Sequence, residues 1–283
     1  MPELPEVQTT IDGLNKKVRR RRIIGSWYDW PKFNQVDKAK GHTIKKIERI
    51  GKNILFYFTD PHILLVHMKM TGHLLVGEWE IKKKKVIPIK PKEMKERING
   101  FIHFVLVLDN GKMIAFSDLR KFGKVVFGTK DEIENLPELK KLGPDALVIS
   151  FKDFSNNVLK KKKTIYQTLL DQEVVAGIGN IYVSEILWKA KIHPLTPANE
   201  LNKDQLRLMH KATKQILVKA VKFRGTSVDD YRDASGKRGG YANYRLAYGK
   251  EGEKCGRCKV NKMKRAKKGG RSFHYCPKCQ DNN

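Results

Sequence analysis

Residues 101–117 read Phe101-Ile102-His103-Phe104-Val105-Leu106-Val107-Leu108-Asp109-Asn110-Gly111-Lys112-Met113-Ile114-Ala115-Phe116-Ser117. Two apolar runs, Phe101–Leu108 and Met113–Ser117, flank Asp109-Asn110-Gly111, and an Asn-Gly step between such runs is a strong hairpin turn signal. Working outward, Ile54–Phe58, Ile63–Met68 and Lys124–Phe127 are also short, apolar and rich in β-branched or aromatic residues, as strands are. The pattern predicts strands from about 44 to 128. It is interrupted by Glu78–Arg97, lysine-rich with Pro88 and Pro91, which reads as a solvated excursion. Ahead of the strands, Leu4, Val7, Ile11, Leu14 and Val18 share one face of a helix over 4–18. Pro5 is tolerated in its first turn, and Arg19–Arg22 close it with four cations.

Beyond residue 150 the helical period returns. Short helices are expected over Thr164–Gln172 and Ile181–Ala190, joined by Gly177-Ile178-Gly179-Asn180. A third starts at Asn202, with Gln205 three residues on as in a capping box. Its apolar stripe is Leu206, Met209, Thr213, Ile216 and Ala220. Residues 225–245, rich in Gly, Ser, Asp and Tyr, read as a long loop, and loops of that length are functional or disordered. There is no internal repeat. The outline is a β-rich N-terminal half, a helical middle and a small metal module.

A chain of 283 residues suggests about two domains. Its 58 basic and 30 acidic residues leave a net charge of +28, which draws polyanions. Nucleic acid is the first partner implied and an anionic membrane surface the second. No apolar run reaches the ~18 residues of a spanning helix. Glu3 and Glu6 sit where the apolar core of a signal peptide would begin, so a cytosolic protein is expected. All four cysteines lie between 255 and 279, and such clustering points to metal rather than disulfides. Cys255-x2-Cys258 and Cys276-x2-Cys279, seventeen residues apart, can surround one Zn2+ tetrahedrally, and four thiolates leave no open position for water. Six Lys and Arg lie between Cys258 and Arg271. The turn Lys268-Gly269-Gly270 places Arg271 at or near the hairpin tip, where it can enter a groove.

The N-terminus reads Met1-Pro2-Glu3-Leu4-Pro5-Glu6-Val7. An initiator Met before Pro is normally removed, which leaves Pro2 a free secondary amine able to form an iminium with a sugar carbon. At a helix start the partial positive charge lowers the amine pKa from an ordinary value of about 7.7–8.0, so more free nucleophile exists near neutrality. The adjacent Glu3 can act as general acid and base. Locally, Pro and acids are also ordinary first-turn residues, and these residues alone leave both readings open.

Pro2–Gln8, Gly177-Ile178-Gly179-Asn180-Ile181-Tyr182 and the terminal four-cysteine ribbon occur together and in order. Over nearly the whole chain this resembles the bacterial formamidopyrimidine-DNA glycosylase family, which includes endonuclease VIII. The resemblance implies an α+β multidomain fold. An N-terminal β-sandwich with flanking helices would span 1–150. A helix–two-turn–helix domain with a lesion-binding loop would span 151–245, and a zinc ribbon or finger 246–283. It implies a bifunctional glycosylase/AP lyase that excises 8-oxoguanine and formamidopyrimidines through a Schiff base on the N-terminal proline, followed by β,δ-elimination. The implied nucleophile is Pro2 and the implied acid/base Glu3. Lys52 matches a lysine near the scissile phosphates, and Arg271 the finger arginine that grips phosphate. Asn180 matches a backbone-binding asparagine. Met70, Arg120 and Phe122 match side chains that fill the gap left by an extruded base. Glu6, Thr226, Ser227 and Tyr241 fall at the lesion pocket and its loop, and Cys255, Cys258, Cys276 and Cys279 hold one structural Zn2+. The implied partner is damaged double-stranded DNA, with no membrane and no small-molecule cofactor, for a monomer in a bacterial cytoplasm at the nucleoid.

Departures accompany the match. The family pattern, often Ile-Lys-Pro before the two-turn element, is Ile165-Tyr166-Gln167 here, so a lysine contact is missing unless Lys161 or Lys163 substitutes. Glu78–Arg97 has no counterpart. An endonuclease VIII-like enzyme acting on oxidised pyrimidines, a non-catalytic zinc-ribbon DNA-binding protein and an RNA-binding ribbon protein are the rival readings.

Overall fold

Helix α1 spans Leu4–Val18 and buries Leu4, Val7, Ile11, Leu14 and Val18, the face expected from their spacing. The strands that follow are β1 (Ile23–Tyr28), β2 (Ile44–Ile50), β3 (Asn53–Phe58), β4 (His62–His67), β5 (His73–Lys82), β6 (Lys85–Lys90), β7 (Ile102–Leu108), β8 (Met113–Ser117) and β9 (Lys124–Thr129). In this computed structural model, which describes residues 1–83, 85–228 and 230–281, they form two antiparallel sheets. One has the order β1-β7-β8-β5-β6 and the other β2-β3-β4-β9. Alternate residues of the first sheet (Leu74, Val76, Phe104, Leu106, Ile114, Phe116) share a core with Ile54, Phe56, Leu64 and Val66 of the second and with α1. That makes a β-sandwich, the expected architecture. Burying each such side chain stabilises the fold by about 1.5–3 kcal/mol. Two short helices, α2 (Lys130–Glu134) and α3 (Pro137–Lys140), follow β9.

The lysine-rich excursion is not simply solvated. Its first half extends β5 and pairs it with β6, Trp79 facing Pro88 and Ile81 facing Val86. The residues of the first sheet that point away from the main core, among them Leu75, Val105 and Ala115, are apolar too. Trp79 and Met94 bury themselves against that outer face. A sheet apolar on both faces needs cover on both. The lysines occupy exposed positions between the covering residues, which hides the strand pattern. Lys84 lies outside the described residues.

A second set of elements comprises α4 (Phe151–Leu159), α5 (Ile165–Leu170), α6 (Asn180–Ala190), α7 (Lys203–Lys222) and a hairpin of β10 (Lys264–Lys268) and β11 (Arg271–Tyr275). At the start of α7 the Asn202 and Gln205 side chains each accept the other's backbone N–H at 2.9 Å, the reciprocal cap read from the sequence. Helix α6 packs on α7. The buried Glu185 of α6 accepts the backbone N–H groups of Leu246, Ala247 and Tyr248 at 2.7–2.9 Å, tying the cysteine segment to the helices. Burial pushes its carboxyl pKa up, against the pull of those donors.

The chain clusters into two compact units where the sequence reading drew three parts. One is Met1–Lys140 with Phe223–Ala242, and the other Lys141–Lys222 with Asn243–Asn283. Most of the long loop thus belongs with the sandwich, and the cysteine segment belongs with the helices. Among the described residues no helix is long and apolar enough to cross a membrane.

Candidate active site and nucleic-acid interface

In the first unit, Pro2 and Glu3 lie at the head of α1, both buried, with Glu3 as its N-cap residue. Glu6, one turn on, accepts the Glu3 N–H at 2.8 Å with one carboxylate oxygen and the Thr226 N–H at 2.6 Å with the other. The Tyr231 hydroxyl donates to the Glu6 carbonyl at 3.0 Å. Gly225 stands at φ +74°, and a Cβ there would come within 2.7 Å of the Glu6 carboxylate, so this approach requires glycine. The Ser227 hydroxyl donates to the Tyr231 carbonyl at 2.6 Å and accepts from Gly239 N–H at 2.9 Å. Tyr241 N–H donates to the Gly225 carbonyl at 3.0 Å. The structure thus gathers Glu6, Thr226, Ser227 and Tyr241 into one buried arrangement. In it the Glu6 carboxylate orients backbone on both sides. Asp229 of this loop lies outside the described residues.

Lys52 sits in the two-residue Gly51–Lys52 connection between β2 and β3, and is only 7% exposed. Nearby His67, opposite Asn53 in the ladder, is pushed down to about 3 by burial and by the ammonium groups of Lys69, Lys52 and Lys124. Its Nδ1 accepts the Lys69 N–H at 2.9 Å, which fits a neutral ring. The result is a concentration of lysine charge at this end of the sheet, suited to phosphate.

Met70 and Phe122 are 41% and 48% exposed, in turns that follow β4 and β8. The Arg120 guanidinium lies over the Phe122 ring, 4.6 Å from its centroid, a cation–π contact. All three side chains are therefore presented at turns and none is core.

In the second unit, Asn180 is the first residue of α6, after Gly179. Its Nδ2 donates to the Ser272 carbonyl at 3.0 Å, and its Oδ1 accepts from the Tyr166 hydroxyl at 2.6 Å. Tyr166, at the position where the sequence resemblance led to the expectation of a lysine, is buried and packs on Phe273 at 4.9 Å. It therefore braces Asn180 against the hairpin and does not offer a cation. Lys161 is paired with Asp171 at 3.2 Å. Gly269 and Gly270, at φ +57° and +74°, form the two-residue turn of β10–β11, the arrangement of a type I′ hairpin. Arg271 is exposed beside it, opposite Lys268.

The four cysteine sulfurs of this unit lie within 4.8 Å of one another. Cys255–Cys279 are 3.9 Å apart and Cys258–Cys276 3.7 Å. With Zn–S bonds of ~2.3 Å a tetrahedral ion sets its sulfurs about 3.8 Å apart, so the residues fit one Zn2+. Backbone N–H groups of Asn261 and Val260 lower the Cys258 thiol, while burial raises those of Cys276 and Cys279. A second cluster, His42, Asp60 and His62, is closed on itself. Both imidazole Nδ1 atoms bond the Asp60 carboxylate at 2.6 and 2.7 Å, nearer than the roughly 3 Å between ligands of one ion.

Comparisons with known proteins match this arrangement along the chain. Residues 1–125 fit the family model of the formamidopyrimidine-DNA glycosylase N-terminal domain, and residues 142–232 that of the formamidopyrimidine-DNA glycosylase H2TH domain. The chain belongs to the formamidopyrimidine-DNA glycosylase family. It is 36% identical to the formamidopyrimidine-DNA glycosylase of Ligilactobacillus salivarius over 99% of both chains. It is 35% identical to that of Streptococcus thermophilus, again over 99% of both. Among solved structures, Lactococcus lactis Fpg in complex with DNA containing N7-benzyl-Fapy-dG superimposes with a TM-score of 0.86 at 34% identity, covering 99% of this chain and 100% of that one. The same enzyme with DNA containing an abasic site gives 0.86 at 33%, with the same coverage.

Two residues that hold the turns of Met70, Arg120 and Phe122 escaped the sequence reading. Thr71 follows Met70 directly and Asp118 stands two residues before Arg120, and neither drew a role from the sequence. The available signal was an Asp two residues before Arg120, the spacing at which a carboxylate accepts a backbone N–H and shapes a turn.

Proposed function

We propose that this protein is a bifunctional glycosylase/AP lyase that excises oxidised purines from damaged duplex DNA, with the amine of Pro2 as nucleophile. The observation that carries the reading is the buried Pro2–Glu3 pair at the head of α1, fixed from behind by Glu6 and the 225–226 backbone. With Met1 removed, the Pro2 nitrogen attacks C1′. The C1′–N bond breaks and the base leaves with the bonding electrons and a proton. Glu3 assists proton transfer as the sugar ring opens to an iminium. The iminium acidifies C2′–H, whose loss expels the 3′ phosphate. A second elimination expels the 5′ phosphate and leaves a one-nucleotide gap. Such covalent catalysis replaces one difficult step by easier ones.

The remaining residues bind and orient. Lys52 and Arg271 engage phosphates, Asn180 holds the backbone, and Met70, Arg120 and Phe122 occupy the gap left by the extruded base. That extrusion costs a few kcal/mol. The loop around Thr226, Ser227 and Tyr241 receives the lesion. Lys161, paired with Asp171, contributes positive potential at most. Zinc, when bound by the four cysteines, supplies structure. The same reading has the protein act as a monomer in the bacterial nucleoid.

The test is borohydride trapping. Processed, zinc-loaded protein is expected to form a covalent adduct with a duplex holding 8-oxoguanine opposite cytosine. Protein that retains Met1, whose Pro2 nitrogen is an amide, should form at least ~10³-fold less of that adduct, as loss of a nucleophile does. Trapping only with thymine glycol would move the protein to the pyrimidine branch. No adduct with any lesion or abasic site would sink the enzyme reading.

A further inference from the structure

We propose that Thr71 and Asp118 form a latch that joins the Met70 turn to the Arg120–Phe122 turn, so that the three side chains enter the duplex as one rigid body. Both are positioning residues for base extrusion. This rests on the reading of Met70, Arg120 and Phe122 as DNA-probing residues and adds the part that holds them.

Asp118 is fully buried at the end of β8, and its polar atoms face both turns. One carboxylate oxygen accepts from the Thr71 hydroxyl and, at 3.3 Å, from Arg120 N–H. The other accepts from Gly123 N–H at 2.8 Å. The Asp118 carbonyl accepts from Lys121 N–H at 3.1 Å and bonds His103 Nε2 at 2.9 Å, while His103 Nδ1 reaches Asp29 at 2.8 Å. Thr71 Oγ1 closes the circuit by accepting Arg120 N–H at 3.0 Å. The backbone of residues 120, 121 and 123 is thereby held by one buried residue. That residue is joined to the Met70 turn through a single hydroxyl.

The turns need such restraint. Lys69 and Lys121, the neighbours of Met70 and Phe122, stand at φ +54° and +56°, a region that non-glycine residues enter at an energetic cost. Left alone, both turns would relax. An apolar wedge that relaxes when pushed against stacked bases transmits no force to them. One held by hydrogen bonds in a buried site keeps its shape, since breaking them there leaves a polar group unsatisfied. Pre-organisation of this kind lowers the cost of reaching the extruded state.

The experiment compares Thr71→Val, which keeps the volume and loses the hydroxyl, with Thr71→Ser, which keeps the hydroxyl. Each is given two duplexes, one with 8-oxoguanine opposite cytosine and one with a preformed abasic site, where no base has to be extruded. Thr71→Val should slow single-turnover excision by roughly tenfold or more, as small misplacements do. Its borohydride trapping on abasic DNA should stay within about twofold of wild type, and Thr71→Ser should restore excision. Asp118→Asn should act in the same direction. If it fails to fold, the threonine pair still decides. Wild-type excision by Thr71→Val would overturn the latch, as would equal losses on both duplexes, because that pattern marks a general defect. A wild-type protein that traps on neither duplex overturns the glycosylase reading and the latch with it, a pattern unlike either of those.

Discussion

Two regions of this molecule offer an arginine at a turn, and they are supported in opposite ways. The turns bearing Met70, Arg120 and Phe122 grow from strands of the sandwich and are shaped by the buried Asp118. The turn beside Arg271 crowns two five-residue strands in which Lys264, Arg265, Lys267 and Lys268 are all exposed. Beneath it Phe273 packs on Tyr166 and β11 lies against α6, beside a small cluster of Trp188, Ala247 and Met263 with Cys255 and Cys276. A two-stranded hairpin is marginal in water by itself. One arginine-bearing turn thus rests on the sandwich core, and the other on helices and a four-cysteine cluster that fits one metal ion.

The strongest way to break this comparison is to remove the metal. Chelation, or Cys258→Ser, should unfold the hairpin, because structural zinc contributes on the order of 10 kcal/mol or more. Affinity for duplex DNA should fall by at least ~10²-fold, since a specific phosphate contact and a basic hairpin are lost together. The circular-dichroism melt of the sandwich should persist. Apo-protein that binds DNA like wild type would show that the hairpin stands without metal.

Phe122→Ala probes the other tip. A buried Phe would cost about 3–5 kcal/mol on truncation, but Phe122 is half exposed, so the thermal midpoint should shift by no more than ~2 °C. Excision of 8-oxoguanine should drop by about 10–100-fold, because an unfilled gap forfeits a few kcal/mol of the extrusion cost. A large drop in the midpoint would reveal Phe122 as core.

The smallest effect is expected from acid. His73, fully buried beside this tip, has Nε2 3.0 Å from Asn99 Oδ1 and Nδ1 3.3 Å from the Thr71 carbonyl, and burial lowers it to about 4 from 6.5 against the pull of these acceptors. The unfolded chain therefore takes up its proton first. The contribution of neutral His73 to stability is complete above pH 6.5 and is lost progressively as the pH falls towards 4. At about 1.4 kcal/mol per unit, roughly 2 kcal/mol should be gone at pH 5. Urea midpoints of wild type and His73→Asn, measured at pH 7.5 and 5, should differ in slope, and equal slopes would refute the assignment.

Much of this fold was legible because its signals are local. The α1 stripe, the Asp109-Asn110-Gly111 hairpin, the Asn202–Gln205 cap and the paired Cys-x2-Cys steps each lie within a few residues. The excursion was misread because exposed lysines alternate with covering residues such as Ile81 and Val86. The affiliation of 223–242 was illegible for a different reason. The bond from Thr226 N–H to Glu6 spans 220 positions, and no periodicity reports it. Among the candidate site residues, the cysteine ligands follow from spacing alone. Pro2, Lys52 and Asn180 needed the family resemblance, because a proline at a helix start, a lysine in a turn and an asparagine before a helix are ordinary there.

The Glu6–Thr226 bond also bears on how the protein is made. The first unit is closed by Phe223–Ala242, with Ala234 accepting a hydrogen bond from Val76 at 2.9 Å and Tyr231 reaching back to Glu6. A chain emerging from the ribosome displays its N-terminal strands long before these residues exist. Native contacts of such sequence separation form late and slowly. The second unit's helices α4 to α7 are synthesised in the interval, so the last piece of the first unit arrives only after them. Translation thus delays closure of the backbone around Pro2 and Glu3 until Phe223–Ala242 has been made.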